Sequence, residues 1–119
     1  MKYNRFEDLP VWNAAVDLKL DIDELCEQRC IARRRNWIDQ IDRASLSISN
    51  NIAEGFERGS DADFANFLRI AKGSCGEVRS MFYTAEDLGY AASPLAAERR
   101  EKLKQLAAGI EALRTHLKA

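Results

Sequence analysis

Between Ser47 and Ser60 the chain reads SISNNIAEGFERGS. Ile48 and Ile52 suit the inside of a helix, yet Ser47, Asn50, Asn51 and Glu54 run beside them on another face. At about 100° per residue, Arg43, Ser47, Asn50, Asn51, Glu54 and Arg58 share one arc, so these polar groups are either a site or a structural seam. From Ala44 to Ala53 there is no charge at all. A helix with one face in water normally carries Lys, Glu or Arg there, so this one is expected to be covered on more than one side.

Could the set be catalytic? Glu54 and Glu77 would supply two carboxylates inside a helical bundle, as in di-iron proteins, but those need Glu-x-x-His pairs and the only histidine is His116, near the chain end. A Ser-His-acid set, an oriented Cys-His pair and a glycine-rich phosphate loop are all missing from the sequence. We therefore expect no catalytic residue and no enzyme. Cys26 and Cys30 lie four apart and Cys75 is distant; zinc wants four nitrogen or sulfur ligands in recognisable spacing, so no metal and no cofactor are expected. The three cysteines read as free thiols, buried or half-buried among apolar neighbours.

The run RCIARRRN places Arg29, Arg33, Arg34 and Arg35 within eight residues. Planar guanidinium groups suit phosphate, so contact with an RNA or DNA backbone is one reading; the other is a soluble connector that complements the helix dipole before it. Residues 1–28 carry −4, residues 29–36 +4, residues 37–93 −4 and residues 94–119 +3, which sums to the net −1. Global charge thus gives no pull toward nucleic acid or an anionic membrane, and any contact must come from the Arg29–Arg35 loop and the basic last helix.

These residues have to be positioned by helices. Val11, Ala15, Leu18, Ile22 and Leu25 step by three and four, and Pro10 suits the first helical position, which predicts a helix over about 9–28. Asn36 as N-cap and Ile38, Ile41, Ser45, Ile48 and Ile52 predict a second over 36–57. Gly55 and Gly59 bracket its end, and Ser60 with Asp63 has the spacing of a capping box. Phe64, Phe67, Ala71, Ser74, Val78, Met81, Ala85 and Leu88 predict a third over 61–88, closed by Gly89. Ser93-Pro94 followed by Leu103, Leu106, Ile110, Leu113 and Leu117 predicts a fourth over 94–118. With no period-two stretch, the expectation is an all-α single domain, 1–119, folded as an antiparallel up-down-up-down four-helix bundle.

The third helix carries Ala62, Ala65, Asn66, Arg69, Gly73, Gly76 and Ser80 opposite its apolar stripe. A mid-helix glycine costs about 1 kcal/mol relative to alanine, so Gly73 and Gly76 need a reason, and close approach of another backbone is the expected one. Ser47, Asn50, Asn51, Glu54, Gly55, Arg69, Gly73, Ser74, Gly76 and Glu77 are accordingly taken as a buried polar seam or a subunit interface. No apolar run reaches the roughly 20 residues that cross a bilayer, and the start shows no signal-peptide core, so we expect a cytoplasmic protein with no membrane partner.

FEDLPVW at Phe6–Trp12, QIDRASLSISNNIAEGFERGS at Gln40–Ser60 and FLRIAKGSCGEVRSMFYTAEDLGY at Phe67–Tyr90 resemble the bacterial four-helix bundle family known from 23S ribosomal RNA intervening sequences. NIAEG, Asn51–Gly55, is the most specific word. The resemblance implies a ring of identical subunits, usually a pentamer, whose biochemical role is largely uncharacterised. A related branch, the accessory protein of diversity-generating retroelements, is similar and implies binding to a reverse transcriptase and nucleic acid. Ser47, Asn51, Glu54, Gly55, Arg69, Ser74 and Glu77 stand where the family has its recurring polar and small residues. IARRRNW departs from the Pro- and acid-containing start that many relatives have at the second helix, and the retroelement branch is strongly basic where this chain is not.

Overall fold

A computed structural model describes residues 3–118. A 3-10 turn at Phe6–Asp8 leads into α1 (Pro10–Cys26), a single turn α2 (Arg29–Ala32), α3 (Arg35–Glu57), α4 (Asp61–Asp87) and α5 (Ser93–Lys118). Described residues contain no strand. The four long helices expected from the stripes are present, with ends shifted by one or two residues.

The largest departure lies between the first two long helices, where the sequence reads as a basic loop. Gln28 is extended (φ −68°, ψ 145°) and ends the first helix early, and the chain then makes the α2 turn. Ile31 in that turn is fully buried and pins the basic segment to the body. One apolar residue among arginines has no periodicity to read, which is why α2 is not legible in advance. Asn36 is not an N-cap: α3 starts at Arg35, with Arg34 in the cap position and no side chain closing the end.

Of the predicted Ser60–Asp63 capping box the structure shows the N-cap half: Ser60 Oγ accepts the Asp63 backbone N–H at 3.1 Å. Gly59 takes a positive φ of 89° just before it, so the corner between α3 and α4 requires a residue without a Cβ penalty. Gly55 does not bracket the helix end. It sits inside α3, where an added Cβ would lie 2.5 Å from Phe67 Cβ, so only glycine lets α4 approach this closely.

The core is aliphatic and aromatic. Leu18, Ile22, Ile41, Ile48, Ile52, Leu68, Val78, Phe82, Leu103 and Ile110 are buried within it. Leu68, Cys75 and Phe82 were not in the stripe read from sequence for α4, and Leu88, which was, is exposed. Two serines under this core satisfy themselves along the helix: Ser45 Oγ donates to Ile41 O at 2.7 Å and Ser49 Oγ to Leu46 O at 3.3 Å. α4 packs most extensively on α3 and α5, while α1 packs on α3 and more sparingly on α5. The molecule measures 44 × 20 × 19 Å. Between α4 and α3, Gln40 meets Glu77, Ser47 meets Ser74 and Gly55 meets Phe67, so numbers fall on one helix as they rise on the other. The same holds for α4 and α5, where Lys72 meets Glu111 and Glu86 meets Arg100.

Candidate functional site

The ten residues expected to form one seam divide into three groups. Ser47, Asn51 and Ser74 are half-buried and make a hydrogen-bonded knot. Asn51 Nδ2 donates to Ser47 O at 2.7 Å and to Ser47 Oγ at 2.9 Å. Ser74 Oγ, from α4, lies 2.9 Å from Ser47 Oγ and 3.3 Å from Ile70 O, and its single proton serves one acceptor at a time. Gly55 is buried for packing rather than for polarity.

The other six, Asn50, Glu54, Arg69, Gly73, Gly76 and Glu77, are exposed, so within the single chain the ten do not form one buried seam. Glu54 pairs with Arg58 at 2.8 Å one turn on, Arg69 donates to Asn66 Oδ1 at 3.0 Å, and Glu77 accepts from Gln40. On α3 the arc is wide enough that Ser47 and Asn51, toward its isoleucine side, are covered while Asn50 and Glu54, farther round, face outward. Glu54 and Glu77 therefore bind separate partners and are not brought together as a carboxylate pair. Among the described residues, Gly73 and Gly76 have nothing from elsewhere in the fold within 4 Å of where a Cβ would sit, so the close neighbour expected for them is not among these. Leu46 and Ile70, both 40% exposed, lie on the same two helices.

The second candidate site is the basic end of the molecule. Arg29, Arg33, Arg34 and Arg35 are all exposed. Among the described residues Arg29, Arg33 and Arg35 make no ion pair, whereas Arg34 lies over the Tyr90 ring at 5.5 Å. Two concavities flank Arg33 and Arg34. One of about 680 Å³ is shared with Arg29, Cys30 and Ala32, and one of about 420 Å³ with Arg35, Trp37 and Tyr90. Trp37 packs edge-on to Tyr90 (5.6 Å) and Phe82 (6.5 Å), and its buried Nε1 has no hydrogen-bond partner among the described residues. Tyr90 and Trp37 were not singled out from sequence, because nothing in spacing links position 90 to a loop near 33.

The basic last helix behaves differently. Arg100 pairs with Glu86 at 2.9 Å and lies over Tyr83 at 4.1 Å. Arg114 pairs with Glu111 at 2.8 Å, Arg99 with Glu98 at 2.8 Å, and Lys102 reaches Glu98 and Asp21. Those partners lower the carboxyl pKa values: the Arg114 hydrogen bond holds Glu111 down to about 2, and Ser93 with Arg100 lowers Glu86. The arginines of α5 are thus matched by nearby carboxylates.

Sequence reasoning also missed Lys19. It is only 8% exposed, and its Nζ donates to Asp42 of α3 at 2.6 Å and to Asp23 one turn on. Burial pulls its pKa down, but the two carboxylates outweigh burial and the net shift is upward. The cysteines are similarly spread: Cys75 is buried, Cys26 half-buried and Cys30 exposed, where its Sγ donates to Tyr90 O at 3.6 Å. Cys30 thus departs from the expected apolar setting.

Fold and site together define an all-helical protein with a polar knot between its central helices and an arginine-rich end. The chain belongs to the 23S rRNA-intervening sequence protein family, which matches residues 7–112. No curated protein matches it.

Proposed function

We propose that the chain is a non-enzymatic, self-associating helical module that works as an assembly or binding unit in the cytoplasm. Its subunit is one domain with the up-down-up-down four-helix arrangement. The descending pairs Gln40–Glu77, Ser47–Ser74, Lys72–Glu111 and Glu86–Arg100 support that arrangement. Three free thiols support the compartment.

The observation that carries self-association is the outward side of α3 and α4. Gly73 and Gly76 lie open, with Leu46 and Ile70 exposed on the same helix pair. Mid-helix glycines whose Cβ positions meet none of the described residues are explained by a backbone from another copy. A ring of five, the assembly that the family resemblance implies, would bury this face in every subunit. Sedimentation at micromolar concentration should then give a mass near five copies of the 13.5 kDa chain. Gly73→Arg should yield monomers of unchanged helix content. A native chain that sediments as a monomer would sink the proposal.

A second reading is nucleic-acid contact through Arg29–Arg35. What favours it is that these arginines have no acidic partner among the described residues, whereas those of α5 do. It predicts binding that weakens steeply with salt and disappears when Arg33, Arg34 and Arg35 become serine.

A further inference from the structure

Resting on that second reading, we infer that the arginine-rich end takes an unpaired nucleic-acid strand, with backbone phosphates at Arg33 and Arg35 and a base beside the Arg34–Tyr90 stack. Three features point to a single strand. First, the unpaired charge is compact: four arginines sit within eight residues at one end of a body 44 Å long, and α5 adds little free charge. A duplex offers phosphates along an extended groove, whereas a short positive end suits a few consecutive ones.

Second, the concavity beside the arginines is partly aromatic. Arg33, Arg34, Arg35, Trp37, Leu88 and Tyr90 line about 420 Å³, room for one nucleotide-sized group. The Arg34 guanidinium already lies over the Tyr90 ring at 5.5 Å, and Leu88 is 57% exposed beside it. Stacking on an aromatic ring or a guanidinium plane is how proteins hold a base that has left its helix. A base inside a duplex cannot offer that surface.

Third, two polar features here lack partners. Arg34 occupies the N-cap of α3 and no side chain among the described residues caps the first turn, whose backbone N–H groups can face an anion. Trp37, 9% exposed and lining the same concavity, has an indole N–H without an acceptor.

The test uses the full chain and a labelled strand of about twelve nucleotides, as RNA and as DNA, each also annealed to its complement. Fluorescence anisotropy is read at about 50 mM and about 200 mM salt. We expect single strands to bind at least about tenfold more tightly than duplexes. Arg33→Ser with Arg35→Ser should flatten the salt dependence by about 1.4 in the log–log slope, two phosphate contacts at about 0.7 each. Tyr90→Leu should weaken the strand several-fold without changing that slope, and Tyr90→Phe should restore it, which separates stacking from charge. Thermal melts of each variant confirm folding. The RNA and DNA arms tell whether the sugar hydroxyl is read. If duplex and single strand bind equally, or Tyr90→Leu binds as the native chain does, the single-strand inference fails while the nucleic-acid reading stands. If neither binds at low salt, both fail.

Discussion

The two basic segments of this chain look alike when charges are counted and differ when partners are. Residues 29–36 carry +4 and residues 94–119 carry +3. In α5, arginines 99, 100 and 114 each meet a carboxylate, and Arg100 and Arg114 keep much of their side chains covered. At the arginine-rich end, exposed guanidinium groups stand without acids among the described residues, on a segment anchored by buried Ile31. Charge that holds helices together and charge available to a ligand are thus distinguished by geometry alone, and each difference can be measured.

The widest contrast is in the thiols. Cys30, at the arginine end, is exposed, whereas Cys75 is buried and burial pushes its pKa up to about 12. Only thiolate reacts, so at pH 8 Cys75 offers almost none of the reactive form and no access. Alkylation with iodoacetamide followed by peptide mapping should mark Cys30 first, Cys26 more slowly, and Cys75 only after denaturation. Equal labelling of Cys75 in the native chain would mean that the core opens readily.

Next in size is the cost of removing a buried charge against a free one. Lys19→Ala breaks the α1–α3 link to Asp42 and removes a packed aliphatic stem, which should cost about 1–3 kcal/mol in urea denaturation. Arg35→Ala, at an exposed position without an ion pair, should stay within about 0.5 kcal/mol. Similar losses for both would mean that the basic segment is structural, which would undercut any ligand role. Alkaline pH adds a check. Because the Lys19 pKa is raised in the fold, the stability it contributes is full below its unfolded value near 10.5 and is lost as pH climbs through the higher folded value.

Periodicity carries much of the fold in this sequence. The Leu18–Ile22–Leu25 and Ile41–Ile48–Ile52 stripes name buried positions because a helix turns by a fixed angle whatever it packs against. Ser60 was legible for a similar reason, since a cap acts on its own backbone three residues away. What depends on a second helix was less so. Glu54 shares an arc with Ser47 and Asn51, yet only contact with α4 decides which of them is covered. Lys19 reads as a surface residue until Asp42 comes beside it, and Tyr90 acquires a place near the arginines only through the turn between α4 and α5.

The smallest effect is the acid response of the paired charges on the body. Arg114 and Lys72 hold Glu111 down to about 2, with the Arg114 hydrogen bond the stronger influence, and Glu86 is lowered by Ser93 and Arg100. A carboxylate whose pKa drops on folding contributes stability above its unfolded value, near 4.5, and loses that contribution as pH falls toward the folded value. Stability should therefore decline between about pH 4.5 and pH 2, through groups that solvent also screens, so the slope is shallow. Arg114→Gln keeps the side chain's bulk but removes the charge, and should make that slope shallower still. Arg33→Gln has no carboxylate partner to release and should leave it unchanged. Urea midpoints at pH 5, 4 and 3 for the three proteins decide the matter: parallel curves for Arg114→Gln and the native chain would show that the α5 pairs do not couple to folding, and the distinction between the two basic segments would then rest on ligand binding alone.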